Sequence, residues 1–295
     1  MSITFRTIRN KLISFIVYLF FFIFSKTPWK INIIIGAVLG KIFFYFDSRY
    51  KKIAFKNLKY IFPQYEHRQV VALAKECYTN IGKNVFEFFL FPTIKNKLNK
   101  IVKIEHKDLE LLRQKLDQKK GLIIFSAHFG NWEILGAKLA SLGIPLAVVA
   151  RDMYIPELNQ LIEKLRNIAG EIVIGRGGEQ SVKKLMFALK KGYAIGVLID
   201  QNIKNIKNII IPFLGKDAAT PVSFVEMVIK YNIPSVIGVI YRDKNDHHKI
   251  KIFPIEQELY SDKIRLMSYI NQKISECILQ QIPQWVWIHN RWNLI

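Results

Sequence analysis

Apolar positions along the chain follow three successive patterns. From Leu12 to Ser25 they form an unbroken run of about 14 residues bracketed by Lys11 and Lys26. A second apolar stretch, Ile31 to Phe46, follows the break at Pro28 and is interrupted by Lys41. A spanning helix needs about 20 apolar residues, so the first run is short unless its flanking lysines reach toward the headgroups. Arg6, Arg9 and Lys11 resemble the front of a signal peptide, but no small-x-small cleavage site follows around Ser25–Trp29, which predicts an uncleaved anchor. Trp29 and Lys30 then fall where an interfacial belt belongs. The competing reading of the two runs is a buried hairpin. Residues 1–46 are assigned to an N-terminal membrane anchor and interfacial segment, and residues 47–295 to one following domain.

Between about 48 and 91 the period becomes helical, with Phe55, Leu58, Ile61 and then Val71, Leu73, Ala74, Cys77 on recurring faces, punctuated by Pro63 and Pro92. From Gly121 onward, short apolar runs alternate with amphipathic segments. Strands are predicted at Gly121–Phe125, Pro145–Ala150, Glu171–Ile174, Tyr193–Ile199, Ser235–Tyr241 and Lys249–Phe253. Helices are predicted from Trp132 to Leu142, Pro156 to Ala169, Gly178 to about Lys191, and Asp262 to Gln281. Thr220 as N-cap with Pro221 in the first turn predicts a further helix running to about Asn232. His247-His248 falls in a predicted solvated turn. This order specifies an α/β domain: a mixed, largely parallel sheet covered by helices, behind an N-terminal hydrophobic membrane anchor. Ligands bind such sheets outside the carboxyl ends of the strands, which directs attention to the residues after Phe125, Ala150, Ile174 and Ile199.

Composition narrows the classes. Hydrophobic residues make up 51% of 295, too apolar for a disordered chain, and 2 cysteines exclude a disulfide framework. Cys77 and Cys277 have no metal-ligand spacing and read as buried small side chains in a reducing compartment. The formal charge is +21, with a pI near 9.8 and a mean hydropathy of +0.14. A strong positive field favours polyanionic partners. Combined with positive hydropathy it points to an anionic membrane surface, a phosphorylated lipid or an acidic carrier protein, and away from nucleic acid.

Directly after the first strand comes Ser126-Ala-His128-Phe-Gly-Asn-Trp-Glu133. A strand-end His followed by a turn at Gly130 and a helix from Asn131 can bring His128 and Glu133 together. The carboxylate would fix the imidazole tautomer and free the other nitrogen as a base. Arg151 and Arg176, each at a strand end, are candidates for binding an anionic group or an oxyanion. Asp200, also at a strand end, reads either as the partner of an arginine or as a cap. Ser126 lacks the G-x-S-x-G elbow of a hydrolase nucleophile. No spacing fits a metal site, and Gly175–Gly178 is too sparse for a nucleotide loop. His289, Trp285, Trp287 and Trp292 read as packing residues, or as an aromatic edge facing a membrane.

The HFGNWE segment fits the H-x4-[DE] pattern of glycerolipid and lipid A acyltransferases, and the ordered set of segments resembles the late acyltransferases of lipid A biosynthesis, the lauroyl/myristoyl transferase family. The agreement continues through Ala150-Arg151-Asp152 with Pro156–Asn159 and Arg166, Ile174-Gly-Arg176 with Ala188–Gly192, and Ile199-Asp200-Gln201-Asn202. It ends with Pro212–Gly215, Ala218–Pro221 and Gln284–Trp292. The resemblance implies an acyltransferase catalytic domain over 47–295, on the cytoplasmic face of a bacterial inner membrane. It implies transfer of a fatty acyl chain from acyl carrier protein to a 3-hydroxyacyl group of a phosphorylated lipid A precursor, with His128 as general base oriented by Glu133 and no cofactor. A lysophospholipid or other glycolipid acceptor shares the same motif. A non-catalytic basic tether, binding a membrane or nucleic acid, would be indifferent to His128.

Overall fold

The computed structural model describes residues 3–203 and 206–294. Two apolar helices open the chain, α1 (Ile3–Phe24) and α2 (Trp29–Phe46), hinged at Pro28, and each is long and apolar enough to cross a membrane. Helix α1 is mostly exposed, with Phe15, Phe22 and Ile23 all open to the surroundings. Helix α2 is held differently. It lies against α4 (His67–Phe89), which follows α3 (Arg49–Ile61). Gly36 of α2 approaches α4 so closely that a Cβ there would lie 2.6 Å from the Gly82 carbonyl oxygen. Glycine at this crossing lets the two backbones touch.

Short helices α5 (Phe91–Ile94) and α6 (Leu98–Ile101), then β1 (Val102–Ile104) and α7 (His106–Leu116), lead to the α/β core. That core runs β2 (Leu122–Ser126), α8 (Trp132–Ser141), β3 (Leu146–Ala150), α9 (Pro156–Ala169), β4 (Glu171–Gly175), α10 (Gly178–Lys190) and β5 (Ala194–Leu198). A hairpin of β6 (Asn208–Phe213) and β7 (Lys216–Pro221) follows, then α11 (Ser223–Tyr231), β8 (Ser235–Arg242), β9 (His248–Pro254) and α12 (Lys263–Gln280). Among the described residues seven strands form one sheet, in the order β1-β9-β8-β2-β5-β3-β4, parallel except between β8 and β9. The predicted mixed, largely parallel sheet is the one observed. Strand β2 is central and buried along its whole length, so its run of Leu122-Ile-Ile-Phe needs no polar alternation.

Two apolar layers cover the sheet. One face carries Leu185, Val225, Leu266, Ile270 and Ile274 from α10, α11 and α12; the other carries Ile134, Leu161 and Leu165 from α8 and α9. The carboxyl ends of β2, β3, β4 and β5 share one edge of this sandwich.

Three expectations from sequence fail. Thr220 and Pro221 do not start a helix. They close β7, because Leu214 and Gly215 both take positive φ and make the tight turn that sets the hairpin register. His248 is not in a solvated turn. The Asp243 carboxylate accepts from the Asn245 and His247 amides and closes the turn early, leaving His248 as the fully buried first residue of β9. Trp29 is not at an interfacial belt but buried against α4.

Trp29 and His248 meet at Glu87, which is fully buried. Its Oε1 accepts from Trp29 Nε1 and pairs with His248 Nε2, both at 2.9 Å, and its Oε2 accepts from Arg242 Nη2 and Asn131 Nδ2, both at 2.7 Å. Burial alone would raise the Glu87 pKa, but Arg242 and His248 overcome it and hold the carboxyl well below the usual range. Four elements or their caps converge on this one carboxylate of α4. Glu87→Ala would leave Arg242, whose side chain is 4% exposed, with only the more distant Asp246 carboxylate, 3.8 Å away, as counter-charge. The expected loss is about 3–5 kcal/mol of stability in denaturant unfolding of the detergent-solubilised protein. A loss below about 1 kcal/mol, the range of an exposed pair, would contradict this assignment.

Candidate active site

His128 lies two residues beyond β2, in a turn shaped by Gly130, whose φ is +60° and where any Cβ would collide with the Ile240 carbonyl. The turn is held from both sides. The Gly130 amide donates to the Gln284 carbonyl (3.0 Å) and the Val286 amide to the His128 carbonyl (3.1 Å), so the C-terminal segment pairs with it as a short antiparallel bridge.

The imidazole is anchored by Asp200, just past β5 on the neighbouring strand. His128 Nδ1 lies 2.9 Å from Asp200 Oδ1, and the other carboxylate oxygen accepts from the His128 amide (2.9 Å) and Trp285 Nε1 (2.7 Å). Asp200 is 1% exposed. Burial pushes its pKa up, but the charge and hydrogen bonds of His128, with the Trp285 donor, pull it below the ordinary value. An ionised Asp200 accepts from Nδ1–H and leaves Nε2 as the basic nitrogen. Gln201 Nε2 lies 3.4 Å from that nitrogen, and the edge of Trp132 packs against the ring at 4.9 Å between centroids.

Glu133 does not hold His128, contrary to the expectation from the H-x4-E spacing. It lies in the first turn of α8, one residue past Trp132, and faces α9. Its two oxygens take the Nε and Nη2 of Arg166 at 3.0 and 2.7 Å, and Trp132 Nε1 donates to Oε1 at 3.1 Å. The fork geometry of a guanidinium against a carboxylate makes this a strong bidentate pair. Burial works against the Arg166 charge, yet the Glu133 hydrogen bonds raise its pKa above normal. Asn131 caps α8, accepting from the Ile134 amide (3.2 Å) while its Nδ2 reaches Glu87.

Arg151 and Arg176 follow β3 and β4 and are exposed on the same edge. Burial and the neighbouring Arg151 charge depress the Arg176 pKa, as two cations sharing one rim must. No described hydrogen bond joins either to His128. Arg176, Gly177 and Ser181 rim an apolar cavity floored by Ile174, Leu185 and Met227.

The C-terminal aromatic block packs behind the site, as one of its two sequence readings held. Trp285 and Trp287 are buried with ring centroids 4.8 Å apart. Arg291 is fully buried, donates to Thr220 Oγ1 (2.7 Å) and to the Ala219 carbonyl, and burial lowers its pKa to about 10. His289 accepts the Asn202 amide on Nε2 (3.0 Å), and burial lowers its pKa to about 4. The Cys77 thiol, donating to the Trp285 carbonyl, is pushed up to about 12 by burial and is inert. The sequence marks Asp200 only as the partner of an arginine or as a cap, and no signal in it pairs Arg166 with Glu133. Position at a strand's carboxyl end is the signal that marks Asp200.

Comparison with known proteins gives a consistent result. The family described as bacterial lipid A biosynthesis acyltransferase matches residues 1–293. The chain is 24% identical over 277 residues to the lipid A biosynthesis palmitoleoyltransferase of Escherichia coli (strain K12), across 91% of this chain and 87% of that protein. A lipid A biosynthesis acyltransferase of Shigella flexneri is 24% identical over the same shares. The lipid A biosynthesis lauroyltransferase of Escherichia coli (strain K12) is 21% identical over 279 residues, again 91% of this chain and 87% of the relative.

Two measurements test this geometry. A double-mutant cycle with Glu133→Gln and Arg166→Met should return a coupling of about 1–3 kcal/mol in unfolding free energy; additive losses would dissolve the pair. The folded-state pKa of His289 lies below the unfolded value, so the unfolded chain takes up its proton first as pH falls. Its cost is absent above pH 6.5 and grows as pH drops toward about 4. His289→Gln should therefore flatten the stability profile across that window, and a profile identical to wild type would refute the assignment.

Proposed function

The chain belongs to the bacterial lipid A biosynthesis acyltransferase family and is an acyltransferase, and from that premise we propose that it moves a fatty acyl chain from acyl carrier protein to the hydroxyl of a 3-hydroxyacyl group on a lipid A precursor. The observation that carries the mechanism is the His128–Asp200 contact at 2.9 Å, which leaves Nε2 of the imidazole facing the edge of the sheet.

In this reading the acceptor hydroxyl gives its proton to His128 Nε2 as its oxygen attacks the thioester carbonyl. Asp200 stabilises the imidazolium that results and keeps the ring in one tautomer. Collapse of the tetrahedral intermediate breaks the carbon–sulfur bond, and the imidazolium returns the proton to the departing thiolate. The acceptor hydroxyl is itself the nucleophile, so neither an acyl-enzyme nor a cofactor is needed. Glu133 acts at one remove, through Arg166 and the indole of Trp132 that packs on the imidazole.

Arg176, on the rim of an apolar cavity, and neighbouring Arg151 suit an acceptor that carries phosphate and acyl chains together. A charge of +21 suits the same acceptor, an acidic carrier protein and an anionic leaflet. Helices α1 and α2 would attach the enzyme to the inner membrane, with the catalytic domain on the cytoplasmic side where the carrier protein is found.

The test uses purified protein in detergent, acyl carrier proteins bearing different chains, and a Kdo-bearing tetraacyl lipid A precursor, with mass spectrometry reading the gain of one acyl unit. His128→Ala and Asp200→Asn should each slow transfer by about 10²–10⁴-fold while the protein stays folded. Transfer to a lysophospholipid instead would overturn the acceptor, and wild-type rates in His128→Ala would remove the base.

A further inference from the structure

Attack on a thioester puts negative charge on its carbonyl oxygen, and a site that catalyses the step meets that charge with a donor already in place. Most donors around His128 are spent within the fold. The His128 amide donates to Asp200 (2.9 Å), the Phe129 amide to the Ala127 carbonyl (2.7 Å) and the Gly130 amide to the Gln284 carbonyl (3.0 Å). Nearby side chains are committed as well. The Trp132 indole donates to Glu133 Oε1, the Trp285 indole donates to Asp200, and Arg166 gives two of its donors to Glu133.

Gln201 is placed differently. Its Nε2 lies 3.4 Å from His128 Nε2. With Nδ1–H turned to Asp200, that imidazole nitrogen carries a lone pair, and the amide can only donate to it. The contact is at the long end of the hydrogen-bond range, so an acceptor hydroxyl arriving about 2.8 Å from Nε2 displaces it at little cost. The His128 side chain is 22% exposed, so this corner is open to an incoming group. The backbone that carries Gln201 is fixed on both sides. Before it, the Ile199 amide donates to the Ser126 carbonyl (3.1 Å), which extends the pairing of β5 with β2, and Asp200 is buried. After it, the Asn202 amide donates to His289 Nε2 (3.0 Å), and the His289 carbonyl in turn accepts from Asn57 Nδ2 (2.6 Å). A donor seated this way needs little reorganisation when charge develops beside it.

We propose that Gln201 is a catalytic residue whose side-chain amide stabilises the oxyanion of the tetrahedral intermediate. The inference rests on the acyl-transfer reading above. As the acceptor hydroxyl gives its proton to His128 Nε2, its oxygen bonds to the thioester carbon and the carbonyl π pair moves onto the carbonyl oxygen. The attacking oxygen and the oxyanion share one carbon, so a donor beside the base nitrogen also stands beside the new charge, within reach of the effective distance of about 2.7–3.1 Å. On collapse the pair returns to the carbonyl, the carbon–sulfur bond breaks, and the thiolate leaves with the proton from His128. Gln201 then returns to Nε2. Two consecutive residues thus serve opposite charges: Asp200 supports the imidazolium from behind, and Gln201 meets the oxyanion in front.

The test is steady-state kinetics of the full chain in detergent, with acyl-acyl carrier protein and the lipid A precursor, for wild type, Gln201→Met and Gln201→Glu. Gln201→Met keeps the length of the side chain and removes the donor. It should lower kcat by about 10²–10³-fold, the usual worth of one oxyanion donor, and leave KM for both substrates unchanged. Gln201→Glu, equal in size but an acceptor only when ionised, should be at least as slow. The deficit should persist on the high-pH plateau of the rate profile. Recovery to the wild-type rate there would make Gln201 a mere modulator of the imidazole and overturn the assignment, as would a loss confined to KM or a wild-type kcat in Gln201→Met. If Gln201→Met does not fold, Gln201→Glu decides by itself: a lowered kcat plateau supports the oxyanion role and a wild-type one overturns it. Failure of the wild type to transfer any chain would overturn the acyl-transfer reading itself, and this role with it.

Discussion

Asp200 is a buried carboxylate that must be paired to remain charged, and the site is built around that demand. Taking a carboxylate out of water costs several kcal/mol unless strong donors surround it. Here the donors come from three places: the His128 ring, the His128 amide and the Trp285 indole. Satisfying Asp200 therefore fixes the imidazole in position and tautomer, fixes the turn after β2, and draws the C-terminal segment under the sheet edge. Trp285 in turn packs on Trp287 and Phe213, so the aromatic block at the end of the chain acts as scaffolding for a single acid.

A second buried carboxylate joins this scaffold to the N-terminal helices. Glu87 receives Trp29 from the start of α2, Arg242 and His248 from the far strands, and Asn131 from the cap of α8. The cap of α8 lies three residues from His128. Helix α2 is thus part of the packed body as well as part of an apolar N-terminus, through Trp29 and through the glycine crossing of Gly36 with Gly82. Helix α1, with its exposed phenylalanines, is left unpacked along most of its surface. The division of labour between two adjacent apolar helices follows from which of them carries glycines and a buried donor.

The alternation of short apolar runs and amphipathic segments was enough to give the sheet class, the positions of β2 to β5 and β8 to β9, and the boundaries of α9 and α12 to within a residue or so. It also placed the candidate residues, since His128, Arg151, Arg176 and Asp200 all lie at the carboxyl edge where parallel sheets bind ligands. The failures have a common form. Thr220 and His248 carry local signals for a cap and a turn, and each was instead recruited by residues far along the chain, Arg291 and Glu87. The β6–β7 hairpin was missed because its strands contain Pro212 and Ala218-Ala219, which have weak strand preference, and because its turn depends on a positive φ at Leu214.

What the sequence determined by itself was local: hydrophobic period, strand ends, and a histidine with five residues to the next acid. Which acid serves that histidine was decided only by the fold. Strands β2 and β5 pair in register, Ser126 opposite Leu198, so two residues beyond each strand His128 and Asp200 stand side by side although 72 positions apart. Glu133, five residues away, starts a helix that turns its side chain toward α9, where Arg166 takes it. Sheet register brings distant residues to one edge, and helix pitch turns near ones apart. No spacing rule along the chain contains either fact.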